Sequence, residues 1–206
     1  MRTRTEAKRL QIVRIAAEAF EELGYERTSM QTIAERLAGS KQTLYNYFAS
    51  KEDLLRAVLD VGIGEASEAS IAEFDARARD DLRGALEAGA LAFLSDELAP
   101  ARIALVRTVI AMANQTDLGR DFYANAIQPA WQRLADCFAK LMDEGRLRRA
   151  DPWLAALQFK AMSQLDLHER LLMTPALAPD GEEIAKAARS AADAFLVLYG
   201  PVRGPE

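Results

Sequence analysis

Thr28-Ser29-Met30-Gln31-Thr32-Ile33-Ala34-Glu35-Arg36-Leu37-Ala38-Gly39-Ser40-Lys41-Gln42-Thr43-Leu44-Tyr45-Asn46-Tyr47-Phe48 is the stretch whose reading decides the fold. Thr28-x-x-Gln31 has the form of a capping box, in which a hydroxyl and an amide cover orphan backbone donors at a helix start. Met30, Ile33, Ala34 and Leu37 then form one short apolar stripe. Ala38-Gly39 makes a turn, and Ser40 is placed to cap a further helix from Lys41 to Phe48. Leu44 and Phe48 lie one turn apart and face inward, which leaves Lys41, Gln42, Thr43, Tyr45, Asn46 and Tyr47 to share the outer surface. Two short helices joined by a tight turn have helix-turn-helix proportions, with the second helix sized for a DNA major groove. Gln and Asn pair with an adenine edge, Thr and Tyr reach a phosphate or a thymine methyl, and Lys supplies charge. Any short surface helix is also polar outside and apolar inside, so the pattern alone leaves both readings open.

Working outward, Ile12, Ile15, Ala16, Ala19, Phe20 and Leu23 trace the face of a preceding helix that Gly24 stops. Ser50-x-x-Asp53 opens a fourth helix whose Leu54, Leu55, Val58, Leu59 and Ile63 make a wide apolar stripe. Gly62 and Gly64 inside it serve either as a hinge or as a place of close packing. After Phe74 the chain turns Ala-rich, with neither strand-type alternation nor an internal repeat. Periodicity and punctuation predict helices over 80–95, 100–113, 118–144, 152–173 and 182–199. Pro100 and Pro152 sit in first turns, Asp151 caps, and Gly145 and Gly200 follow helix ends. The fold class is all-α, with about nine helices.

Composition narrows the function. Residues 1–56 carry ten Lys/Arg against eight Asp/Glu, while the remainder holds 16 against 23, so the net charge of −5 is unevenly spread. Apolar runs reach only seven residues, Ala88 to Leu94, where a bilayer-spanning helix needs about 20. With a charged amphipathic start and no secretion signal, the expectation is a cytoplasmic protein with no membrane partner. One cysteine, Cys137, forms no internal disulfide, and with a single histidine, His168, it cannot complete a four-ligand zinc site; no metal or other cofactor is expected. An all-helical enzyme would need a nucleophile, base or metal cluster that the sequence lacks, so no catalytic residue is assigned. Cys137, among Ala135, Phe138 and Ala139, reads as inert core, and His168, among charged neighbours, as a surface or interface residue.

The runs Gly24-Tyr25-Glu26-Arg27-Thr28-Ser29-Met30, Ile33-Ala34-Glu35-Arg36, Ser40-Lys41-Gln42-Thr43-Leu44-Tyr45-Asn46-Tyr47-Phe48 and Ser50-Lys51-Glu52-Asp53-Leu54-Leu55 closely resemble the DNA-binding domain of the TetR family of bacterial transcriptional regulators. The likeness extends without a gap over roughly residues 8–60. It implies a helix-turn-helix DNA-binding domain over 1–56, joined through the fourth helix to a helical effector-binding and dimerisation domain over 57–206. It further implies a homodimeric repressor that releases a palindromic double-stranded operator when a small molecule binds the C-terminal domain. By position, Thr43, Tyr45, Asn46 and Tyr47 face the operator, Ser29 and Gln31 support them, and Lys51 contacts a phosphate. Arg2 and Arg4 form either a minor-groove arm or a frayed tail.

The turn departs from the family pattern Ala-Gly-Val-Ser, because glycine stands one place later. If the backbone keeps the usual course, Ala38 takes a left-handed conformation at about 1 kcal/mol; otherwise the turn is reset around Gly39. That irregularity keeps open an adaptor that has lost DNA binding. The C-terminal part resembles the family generally, through Glu144-Gly145-Arg146-Leu147, Asp151-Pro152 and Gln158-Phe159. Met112, Phe122, Trp131, Phe159 and Met162 are candidates for the wall of an apolar effector cavity, although at helical spacing such residues are also ordinary core. Small faces carrying Ala155, Ala156, Ala187, Ala188 and Ala191 are the expected dimer contact.

Overall fold

The computed structural model describes residues 4–37 and 41–201, excluding the side chains of residues 4 and 62–68. Among them are eleven α-helices and no strand: α1 Arg4–Leu23, α2 Met30–Arg36, α3 Lys41–Tyr45, α4 Lys51–Ala78, α5 Leu82–Glu97, α6 Pro100–Met112, α7 Leu118–Phe122, α8 Gln128–Asp143, α9 Pro152–Gln164, α10 Leu167–Met173 and α11 Gly181–Tyr199. The all-α expectation holds. The turn residues Ala38, Gly39 and Ser40, the arm residue Arg2 and the side chain of Arg4 lie outside the described set.

Two predicted helices are each divided, which turns nine into eleven. The 118–144 segment contains a π-helical turn over Tyr123–Ile127 between α7 and α8. The 152–173 segment breaks at Leu165, whose φ of 45° is left-handed. A residue with a side chain pays on the order of 1–3 kcal/mol for such a conformation, and no glycine or proline announces it in the sequence. α4 is helical straight through Gly62 and Gly64.

The chain divides into two compact units, residues 1–65 with 104–126, and 66–103 with 127–206. In the first unit the buried residues include Ile12, Ala16, Phe20, Ile33, Leu44, Phe48, Leu54 and Leu55, the inward stripes read from the sequence. Gly24, at φ 80°, ends α1, with its N–H bonded to the Phe20 carbonyl at 2.9 Å. Arg36 pairs with Glu22 at 2.7 Å, tying α2 to α1, and Arg56 pairs with Asp121 at 3.3 Å, tying α4 to α7.

The second unit is built around rings. Phe138 lies 4.7 Å from Phe195 and 6.0 Å from Phe159, while Phe195 stacks on Tyr199 at 4.7 Å. The Ala-rich faces of α9 and α11 close on this cluster, since small side chains let helices approach and leave room for the rings. The loop after α8 caps two other helices. Gly145 turns the chain at φ 72°, Arg146 donates to the Ala78 carbonyl at the end of α4, and Arg148 donates to the Leu198 carbonyl near the end of α11. Leu147 between them is buried. Cys137 is buried too, and burial, then Asp75, pushes its thiol pKa up. His168 turns inward, its Nε2 3.2 Å from Glu97 Oε1.

Candidate nucleic-acid interface

Helix α2 starts one residue later than the capping box predicted. Ser29, not Thr28, is the N-cap: its Oγ accepts from the Thr32 N–H at 3.0 Å. Thr28 is 1% exposed and its hydroxyl serves the turn before the helix, 2.8 Å from the Gly24 carbonyl and 3.1 Å from that of Ala19. Gln31 consequently bonds Glu35 along the helix at 2.8 Å rather than reaching back. Two adjacent hydroxyl residues were both eligible for the cap; the buried carbonyls behind the turn decide which one takes it.

Helix α3 is one regular turn from Lys41 to Tyr45, followed by turn geometry through Asn46 and Tyr47. Leu44 and Phe48 are buried as expected, and the guanidinium of Arg9 on α1 lies 5.3 Å from the centre of the Phe48 ring. Two inward anchors, one on α3 and one just past its end, fix the direction of everything between them. Lys41, Gln42, Tyr45 and Asn46 are exposed, and Thr43 and Tyr47 are half-buried. Gln42 donates to Asn46 Oδ1 at 3.1 Å, so the two amides that could read a base edge are held side by side. Ser29 and Gln31 on α2 are exposed as well.

Lys51 departs from the picture of a cation offered to solvent. Its Nζ donates to the Tyr25 carbonyl at 2.9 Å and stands 4.1 Å from the centre of the Tyr25 ring. Tyr25 is itself buried beside Phe20, and its phenol is pushed up to about 12 by burial, then by Glu52 and Glu26.

The residues expected to line an effector cavity do not share a unit. Met112 and Phe122 fall in the first, while Trp131, Phe159 and Met162 fall in the second. Phe159 is 3% exposed and spends its ring on Phe138 and Phe195. Trp131 and Met162 are half-buried against that core, and Trp131 meets Phe93 edge-on at 4.9 Å; Phe93 was not anticipated. The residues expected at a dimer contact are also the ones that pack these helices. Ala155, Ala156, Ala187, Ala188 and Ala191 are each at most 2% exposed within a single subunit, because they are the small faces that pack α9 and α11 internally. What these helices leave exposed is Leu154, Val197 and Leu198. Among the described residues there is no group of three or more His, Cys, Asp or Glu able to hold a metal ion, and no helix long and apolar enough to cross a membrane.

A three-helix unit that presents a polar, amide-bearing second helix from two buried anchors defines a helix-turn-helix DNA-binding regulator. Comparison with known proteins makes this specific. Residues 12–58 match the model of bacterial regulatory proteins of the tetR family, and residues 84–201 match that of the AefR-like transcriptional repressor C-terminal domain. The chain belongs to the TetR family of transcriptional regulators. It is similar along its length to a TetR-family transcriptional regulator from Mesorhizobium loti MAFF303099, with 28% identity and a TM-score of 0.88 over 97% of this chain and 100% of the other. It is also similar to the flavonoid-responsive regulator FrrA, with 27% identity and a TM-score of 0.69 over 96% and 99%. The HTH-type transcriptional regulator UidR of Escherichia coli K12 is 39% identical over 59 residues, which span 29% of this chain and 30% of that protein.

Proposed function

We propose that the protein is a homodimeric repressor that acts in the cytoplasm on a near-palindromic operator and leaves it when a small organic molecule binds the C-terminal part. The observation that carries this reading is the arrangement of α3 and the turn after it, where Leu44 and Phe48 are buried and Lys41, Gln42, Tyr45 and Asn46 are exposed. Gln42 and Asn46 act as the base readers, with Thr43, Tyr45 and Tyr47 contributing base or phosphate contacts and Ser29 and Gln31 support from α2. Residues 1–56 serve DNA and residues 57–206 serve effector and partner. Two-fold pairing spaces the recognition helices about 34–36 Å apart, one turn of the duplex.

The exposed Leu154, Val197 and Leu198 give the second subunit an apolar surface on α9 and α11, the helices that carry the five alanines, and covering such a patch favours association. The effector reading keeps Met112, Phe122, Trp131, Phe159 and Met162 as candidates and puts most weight on Trp131, which meets Phe93 edge-on, and on Met162, both of which are only partly buried against the core. Flat aromatic and Met walls favour an uncharged or amphipathic organic molecule, and the similarity to FrrA, a flavonoid-responsive regulator, points the same way. The test is a gel shift on the DNA upstream of its own coding region. Salt-sensitive binding to an inverted repeat supports the reading; absence of binding to any fragment at low salt leaves a helical adaptor instead.

A further inference from the structure

We propose that Lys160, with Phe93 and Trp131, forms a subsite in the C-terminal part that takes an aromatic carboxylate. The proposal rests on the small-molecule reading above and deepens it by naming the chemical class of the guest. Beyond α4 the chain has three lysines, of which Lys140 and Lys186 are exposed and Lys160, on α9, is half-buried. The Lys160 ammonium has no hydrogen bond and no ion pair among the described residues. It lies 5.6 Å from the centre of the Trp131 ring, near the limit of about 6 Å within which a ring attracts a cation. An ammonium drawn partly out of water without an anion is unfavourable, so the position favours a guest that supplies one.

The protein's own carboxylate beside this spot is engaged elsewhere. Glu97, one turn after Phe93 on α5, stands 3.2 Å from His168 Nε2 and 3.5 Å from Arg102 Nε. Gln164, one turn after Lys160 on α9, donates to the same carboxylate at 3.5 Å. All of these residues belong to one compact unit. Lys160 and Arg102 against Glu97 leave a net positive charge here, within a stretch, residues 57–206, that holds 16 basic against 23 acidic residues. Rings supply the rest of the subsite. Phe93 and Trp131 meet at 83° with centres 4.9 Å apart, and both are only partly buried against the core. Two rings set nearly at a right angle form a corner in which a third flat ring stacks on one and turns its edge to the other. A carboxylate on that third ring meets Lys160 in a charge-assisted hydrogen bond. A neutral aromatic guest would leave the ammonium unpaired, and an aliphatic acid would leave the corner poorly filled.

Paired probes test this by titration calorimetry at neutral pH, where an aromatic acid is ionised. Wild-type protein is expected to bind 2-naphthoate about tenfold or more tighter than 2-naphthamide, which has the same rings without the charge. Lys160→Met keeps the apolar stem and removes the ammonium; it is expected to bring the two affinities within about twofold of each other, while Lys160→Arg keeps the preference. Trp131→Leu is expected to weaken both probes about tenfold, because the corner loses a wall. Equal wild-type affinity for acid and amide, an unchanged preference in Lys160→Met, or naphthoate binding no tighter than about 1 mM would overturn the proposal. The first and last of these need no variant to fold. A gel shift on the operator fragment separates the subsite from the reading beneath it. Naphthoate that binds through Lys160 yet leaves the operator occupied defeats effector release and keeps the subsite. Release by the amide equally from wild type and Lys160→Met keeps effector release and overturns the subsite.

Discussion

The segment from Thr28 to Phe48 and the helices α9 to α11 are both amphipathic, yet they differ in what each residue type can mean. In the first, Leu44 and Phe48 are buried and the side chains exposed beside them are Lys, Gln, Tyr and Asn, so residue chemistry sorts itself by face and a role can be read from type. In the second, Phe, Met and Ala stand at helical spacing everywhere. Whether a given ring lines a cavity or fills a core, or a given alanine meets a partner or a neighbouring helix, depends on how the helices approach one another. Phe159 and the five alanines went to the core for that reason. Polar surfaces announce themselves locally; apolar ones are defined by their surroundings.

Mutations can break or sharpen this contrast. Phe159→Ala is expected to cost the most, about 3–5 kcal/mol of stability by urea unfolding, because it opens a hole among Phe138, Phe195 and their neighbours. A loss below about 1 kcal/mol would show that the ring already borders a void and restore it to the effector wall. Asn46→Ala is the mirror case. It should leave unfolding unchanged and cost about 1–3 kcal/mol at the operator, with preference relaxed at one base pair in a competition assay.

Thr28→Val lies between the two regions, since it removes a buried donor from the turn carbonyls. It is expected to lower stability by about 1–3 kcal/mol in a thermal melt, where the same change at the exposed Thr5 should do nothing measurable. The smallest effect is on pH. The Tyr25 phenol is raised from 10.0 to about 12 in the fold. The unfolded chain therefore gives up this proton first as pH rises. Its contribution to stability is full below pH 10 and is lost between about 10 and 12. Tyr25→Phe should flatten alkaline unfolding in that window; an identical profile would mean that another group governs it.

Legibility followed the same division. The element order, the inward stripes of α1 to α3 and of α4 as far as Leu59, the Asp151 and Ser50 caps and the Gly24 and Gly145 stops were all present as local signals, and the structure places them so, while the side chain of Ile63 lies outside the described residues. The choice between Thr28 and Ser29 as cap was not, because it turns on carbonyls nine and four residues upstream. Nor was the inward turn of Lys51, since a charged residue at a helix start reads as solvent-facing until the ring beneath it is known. The break at Leu165 had no glycine or proline to mark it.

The π-helical turn at Tyr123–Ile127 has a consequence for how such a chain can change in length. A turn of this kind holds one residue more than an α-helix requires while leaving the helices on either side in phase. It falls where the sequence passes from one compact unit to the other. Deleting the exposed Ala124 should convert 118–143 into one continuous α-helix with the faces of α7 and α8 preserved. The same deletion within α8, at exposed Asp136, would swing Phe138, Leu141 and Met142 about 100° around the helix axis and out of the core. One position in this stretch is therefore spare, and insertions or deletions among descendants of this sequence should collect there.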